Sequence, residues 1–228
     1  MLRRGTAAGR IWLLVGMVVA GVLFAGGLAF AASATIVGTG ADTFAPTDYN
    51  ADQGEVSQLQ VTGSSHNVTA RQNGPDGKAL FRSATISGGS TPVTGTQYLP
   101  SGDYPFFCTV HPTTMNGTLH VSTNGTPQPR PSVTLSIRGK KIAKALKKGI
   151  TVALNTSAKI DDVSLVAKLG KATLGRASDL SLAQGQVFET IKLNKAGKSK
   201  LRKKSSAKVT VTAEIPFGSP ATTKAKLK

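Results

Sequence analysis

Cys108-Thr109-Val110-His111-Pro112-Thr113-Thr114-Met115 places a thiol, an imidazole and a thioether within eight residues. Thiolate and thioether are soft donors and imidazole is intermediate, so the set suits copper better than calcium or magnesium. A tight loop fixes three donors on one side of a metal. A second imidazole from a distant strand completes a Cys-His-His plane, with a longer, weaker Met bond on its axis, and His66 is placed to supply it. Such a site holds Cu(I) and Cu(II) with little rearrangement, as one-electron transfer requires. The chain has one cysteine and three histidines. That excludes an internal disulfide, a zinc site of several thiolates and any centre needing many imidazoles.

The elements that must position these donors read as short strands. Ser57, Leu59 and Val61 alternate with Val56, Gln58 and Gln60. Gly63-Ser64-Ser65, Gly74-Pro75-Asp76-Gly77 and Gly88-Gly89-Ser90 punctuate the stretch as turns or loops. Tyr104, Phe106 and Cys108 share one strand parity and should face inward, with Phe107 outward. An all-β sandwich over 35–125 is the expected fold. A lone cysteine in an apolar strand is often a structural core residue. In an exported chain, however, a free thiol risks oxidation, which favours a metal-bound one.

The residues also carry a family resemblance. Phe44-Ala45-Pro46, Gly54, Val56, His66-Asn67-Val68, Pro100-Ser101-Gly102-Asp103-Tyr104-Pro105-Phe106-Phe107-Cys108, the Cys-x2-His-x3-Met spacing and Gly117-Thr118-Leu119 follow in order. Segment 35–125 resembles a cupredoxin, the blue-copper fold of plastocyanin, amicyanin and pseudoazurin. The resemblance implies a Greek-key β-sandwich binding one copper ion through His66, Cys108, His111 and Met115. It also implies that the Asn67 backbone donates a hydrogen bond toward the sulfur, and that the outer edge of His111 passes the electron. Phe107 stands where plastocyanins have an exposed tyrosine. The three residues between His111 and Met115 are one fewer than in plastocyanin-like loops and one more than in amicyanin-like loops. His120 should be a solvent-facing strand residue, and the Asn67-Val68-Thr69 and Asn116-Gly117-Thr118 sequons are read as accidental.

Charge divides the chain. The net charge is +17, made of +3 over residues 1–34, −3 over 35–125, Arg130, and +16 over 132–228. Arg3, Arg4 and Arg10 precede an uncharged run from Ile11 to Ala32, the pattern of an export signal or a membrane anchor. Residues 1–34 are therefore expected to form a hydrophobic helix, with Ala32-Ser33-Ala34 offering a cleavage site. Either fate puts the remainder outside the cytoplasm, in the periplasm or at the cell surface.

Ser122 to Pro131, with three prolines, reads as an extended linker, and 126–131 separates the two charge regimes. Beyond it, Val133/Leu135/Ile137, Ile150/Val152/Leu154, Val163/Leu165/Ala167 and Val209/Val211/Ala213 alternate as half-buried strands. Ile142, Ala145 and Leu146, and Leu193, Ala196 and Leu201, sit at helical spacing among lysines. A second, immunoglobulin-like β-sandwich over 132–228 is expected. It has no His, Cys, Met or Trp. Its lysines are either a solvated surface or a contact for an anionic cell-envelope surface. Nucleic acid is not expected, because stacking aromatics are scarce and the compartment is wrong.

The leading functional expectation is an electron carrier serving redox partner proteins outside the cytoplasm. Copper capture or delivery without redox turnover is the alternative. A copper enzyme is not expected: once His66 and His111 are assigned, only His120 remains for any further centre.

Overall fold

Short runs of alternating burial, broken by glycine and proline turns, build the part of the chain that holds the candidate donors. The computed structural model describes residues 32–228, which belong to one compact unit. The expected N-terminal helix lies outside the described residues. Among the described residues, no helix is long and apolar enough to cross a membrane. Packing begins within the expected leader boundary. Ala34 is buried, its carbonyl accepts from Gln58 N–H at 2.8 Å, and Ala32 N–H donates to the Asp52 carboxylate at 2.8 Å.

Seven strands and one 3-10 turn form the first sandwich: β1 (Thr35–Gly38), β2 (Asp48–Gln53), β3 (Ser57–Val61), β4 (Thr69–Ala70), β5 (Gly89–Val93), β6 (Gly102–Phe107) and β7 (Asn116–Gly125). One sheet has the order β1-β3-β5 and the other β2-β7-β6-β4. β1 runs parallel to β3 and β2 parallel to β7; the other pairs are antiparallel. Ile36, Leu59 and Val93 from the first sheet meet Tyr49, Phe106 and Leu119 from the second in one apolar core. Tyr104, Phe106 and Cys108 are buried, as their parity requires, and Phe107 is half-buried under the Arg71 guanidinium at 4.9 Å.

The second group of strands comprises β8 (Val133–Arg138), β9 (Ile150–Thr156), β10 (Ile160–Leu169), β11 (Ala172–Leu182), β12 (Gly185–Ile191), β13 (Ala207–Glu214) and β14 (Ala221–Leu227). The sheets are β12-β9-β8 and β11-β10-β13-β14, antiparallel throughout, around a separate aliphatic core. Helix α1 (Ile142–Lys148) links β8 to β9, and α2 (Lys195–Arg202) links β12 to β13. The Asn194 side chain caps α2 by accepting from Gly197 N–H at 2.6 Å. Gly197 is also needed for close packing: a Cβ there would stand 2.2 Å from the Leu174 carbonyl oxygen.

Of the expected Ser122–Pro131 linker, residues 122–125 belong to β7, which continues through Gly125. The linker's remaining residues are pinned at both sides. Gln128 N–H donates to the Gln97 carbonyl at 2.8 Å, and the Arg130 guanidinium donates to the Phe217 carbonyl at 3.1 Å. The Gly74–Gly77 turn proves to be more than punctuation. Its Asp76 accepts from Phe217 N–H at 3.0 Å and pairs with Arg82 at 3.2 Å, and Arg82 lies 4.1 Å over the Phe217 ring. Burial pushes the Asp76 carboxyl up, but the Phe217 and Lys78 N–H groups and the Arg82 charge outweigh it and hold it below its usual range.

Candidate metal centre

Strand pairing explains why residues some forty positions apart meet. β4 and β6 are antiparallel neighbours with Thr69 opposite Phe107. The chain just before β4 therefore lies beside the chain just after β6. Asn67 N–H donates to Cys108 Sγ at 3.4 Å, and Thr109 N–H donates to the Asn67 side-chain oxygen at 2.9 Å. The Asn67 amide nitrogen donates to Thr85 Oγ1 at 2.8 Å and Thr109 Oγ1 at 2.6 Å. Buried and fully engaged, this amide locks the loop that carries the thiol rather than presenting a glycosylation acceptor. His66 is held by a two-way backbone bridge to Ile86, at 2.9 and 3.0 Å.

The loop from 108 to 115 closes on itself. Cys108 N–H donates to the Met115 carbonyl and Met115 N–H to the His111 carbonyl, each at 3.0 Å. The result gathers His66, Cys108 and His111 so that one donor atom of each lies within 4.8 Å of the others. The two imidazole rings stand 5.1 Å apart. Met115 joins them from the side of β1. A Cβ on Gly38 would meet His66 Cδ2 at 2.9 Å and Met115 Cε at 3.2 Å, so both side chains press against the same bare backbone. His66, Cys108 and Met115 are fully buried, whereas the His111 side chain is 24% exposed beside the exposed Val110.

The cluster is able to hold a metal ion, and the hydrogen bonding shows which atoms face it. His66 Nε2 lies 2.8 Å from the Thr39 carbonyl oxygen. A carbonyl only accepts, so Nε2 carries the proton and Nδ1 keeps its lone pair. His66 Nδ1 and His111 Nδ1 are both buried without a hydrogen-bond partner. Buried polar atoms are rarely left unpaired, and two such nitrogens beside a buried sulfur fit a metal ion rather than an apolar core.

Three participants carry no signal in the sequence pattern: Gly38, Thr39 and Asp42. Asp42 Oδ1 is buried without a hydrogen-bond partner and lies 3.5 Å from His111 Nε2 and 3.9 Å from His66 Nε2. Its backbone has a φ of 54°, in the left-handed region that Asp and Asn tolerate better than most residues.

His120 is partly exposed on β7, away from this cluster, and it is clasped. Nδ1 lies 2.7 Å from Asp103 and Nε2 3.4 Å from Asp48. The Asp103 hydrogen bond, then Asp48, raises its pKa above the ordinary 6.5. A folded-state pKa raised above the unfolded one contributes stability below the unfolded value, and that contribution disappears as pH rises through the folded one. The His120 ring resonance should therefore titrate with a midpoint above 6.5 by NMR. Asp103→Asn should bring the midpoint down; an unchanged midpoint would remove the clasp as its cause.

Solved structures resemble the chain in part. A reduced Cu(I) form of an amicyanin variant at pH 4 is 19% identical, covering 40% of this chain and 82% of its own, with a TM-score of 0.31. A second reduced amicyanin variant is 22% identical, covering 40% and 85%, with a TM-score of 0.32. Amicyanin from Paracoccus versutus (Thiobacillus versutus) is 23% identical, covering 40% and 81%, with a TM-score of 0.31. No family model and no curated protein matches the chain. The weight of any functional reading therefore falls on the donor cluster itself.

Proposed function

We propose that segment 35–125 is a mononuclear blue-copper domain of the cupredoxin kind, exported from the cytoplasm, that carries single electrons between partner proteins. The observation that carries this reading is the pair of buried, unpartnered Nδ1 atoms beside the buried Cys108 thiol. His66, Cys108 and His111 would hold the ion, with Met115 as the weak fourth donor. When bound, copper supplies a Cu(I)/Cu(II) couple.

The chain's own residues do the rest. Thr39 fixes the His66 tautomer, and the Asn67 backbone supports the sulfur. Burial of three donors keeps water out, and the partly exposed His111 edge beside Val110 gives an electron a short way to a docked partner. The same burial favours retention of the ion over hand-over to an acceptor. The linker 126–131 then joins this domain to the basic one at 132–228.

Asp42 sets the charge at that edge. A carboxylate beside an imidazole N–H favours the more positive metal state, as in carboxylate–histidine–metal triads. Asp42→Asn keeps the left-handed backbone and removes the charge. It should raise the reduction potential on the order of tens of millivolts, discounted for partial exposure. Voltammetry giving an unchanged or lower potential would remove this role.

The test of the whole reading is one equivalent of Cu(II) added to the protein. An intense blue absorption, a narrow copper hyperfine splitting by EPR and a chemically reversible couple are expected. A colourless complex with ordinary Cu(II) splitting would sink it. A blue complex that cannot be cycled but surrenders its ion to an acceptor apoprotein would favour delivery instead.

A further inference from the structure

Lysines scattered along the second segment are gathered by strand register at one pole. Leu169 faces both Ala172 and Val209, Ile191 faces Ile150, Arg138 faces Thr151 and Ala207 faces Leu227. Those strand ends are tied together. Ile142 N–H donates to the Lys228 carbonyl and Lys228 N–H to the Lys140 carbonyl, each at 2.7 Å. Asn194 N–H reaches the Leu174 carbonyl at 2.9 Å, and α1 packs on α2.

Residues 138–150, 168–172, 191–209 and 224–228 meet at this pole and hold six, two, eight and three Lys or Arg, with no Asp or Glu. These nineteen of the 21 cations in 132–228 are all exposed. The other two, Lys159 and Arg176, each have a carboxylate partner, Asp161 at 3.0 Å and Glu214 at 3.6 Å. Among the described residues, none of the nineteen has one. The five acids of the segment all lie outside the four stretches. A surface serving solubility alone has no reason to collect its cations, because like charges brought together repel.

The geometry points to this pole as a docking face for the phosphates of an anionic phospholipid bilayer. The cations come from two helices, a hairpin and several strand ends, so they form a broad face. A planar array of headgroup phosphates meets many of them at once, each contributing about a fivefold gain in partition near the surface. The large exposed apolar side chains among the described residues are Val110 and Phe188, and neither lies in the four stretches. Adsorption is therefore electrostatic, without insertion, and the one exposed aromatic beside the face, Phe188, has the Arg138 guanidinium 6.0 Å over its ring, so there is no row of rings on which successive bases of a nucleic acid could stack. The face lies at the pole away from Pro131 and Phe217, where the chain joins the first sandwich, and its action is independent of any metal.

The test is amine-reactive labelling of the full chain on vesicles, read lysine by lysine by mass spectrometry. On phosphatidylcholine mixed with phosphatidylglycerol, labelling of Lys144, Lys147, Lys195 and Lys198 should fall roughly fivefold relative to phosphatidylcholine alone. Lys78 and Lys159 should label equally on both. About 1 M salt, with a screening length near 3 Å, should restore labelling. Equal labelling of the four lysines on both vesicles overturns the proposal. So does stronger protection by soluble polyphosphate or duplex DNA at equal phosphate, which would reassign the face to a soluble polyanion. The readout needs no copper, so it stands or falls separately from the metal centre.

Discussion

Cys108→Ser is expected to abolish the intense visible band and the narrow EPR splitting of the Cu(II) form. It should also weaken copper binding on the order of a hundredfold or more, since loss of an outer partner alone costs ~10–100-fold. Cys108 is completely buried, and its sulfur is one of the three donor atoms that lie within 4.8 Å of one another. Serine fills nearly the same space and can still accept from Asn67 N–H, so the fold should persist. What is lost is the soft, charge-donating atom that gives copper its colour and its affinity. Absorption and competition titration read both effects. A serine variant with the parent's spectrum and affinity would mean that the thiol is an inert core residue.

Phe106→Ala should cost ~3–5 kcal/mol of stability, read as a lower midpoint in chemical denaturation. Phe106 is fully buried. Its ring centroid lies 5.0 Å from Phe44, 6.1 Å from Tyr49 and 6.3 Å from Phe81, so it joins three other aromatic side chains. Space around it is already taken up with care. A Cβ on Gly117 would come within 2.6 Å of Phe106 Cζ and 2.7 Å of the Thr47 carbonyl oxygen. Removing the ring leaves a cavity that β6 and β7 cannot close without moving the backbone. Cys108 follows two residues on, just past the end of β6, so copper binding should loosen as well. A loss below about 1 kcal/mol would mean that the core collapses into the space.

Much of both sandwiches was readable because alternation is a local property, but Gly88-Gly89-Ser90, read as a loop, opens strand β5, which pairs with β3 through its backbone and buries only Val93 fully. In the second, β8, β9, β10 and β13 follow the apolar spacing of Val133, Ile150, Val163 and Val209, and the two helices fall on the Lys-rich stretches with helical spacing. β11, β12 and β14 were missed. All three are edge strands, and β12 and β14 bury only their last residue fully. A strand covered on one flank needs fewer apolar residues, so its pattern fades into that of a loop. The first sandwich shows the same limit at its metal centre. Cys108, His111 and Met115 sit on one turn of chain, where spacing alone groups them. Thr39 and Asp42 are more than sixty residues away from that turn, in a polar stretch with no periodicity to mark them.

By itself the sequence settled the donor types, the local geometry of their loop and the total charge, because these depend on side-chain chemistry and short-range spacing. Only the tertiary structure decided that His66 meets Cys108, that Gly38 leaves room for Met115, and that nineteen cations share one pole. The reason is strand register. One pairing, Thr69 opposite Phe107, brings the first imidazole to the sulfur, and a slip of one residue would turn it to the other face.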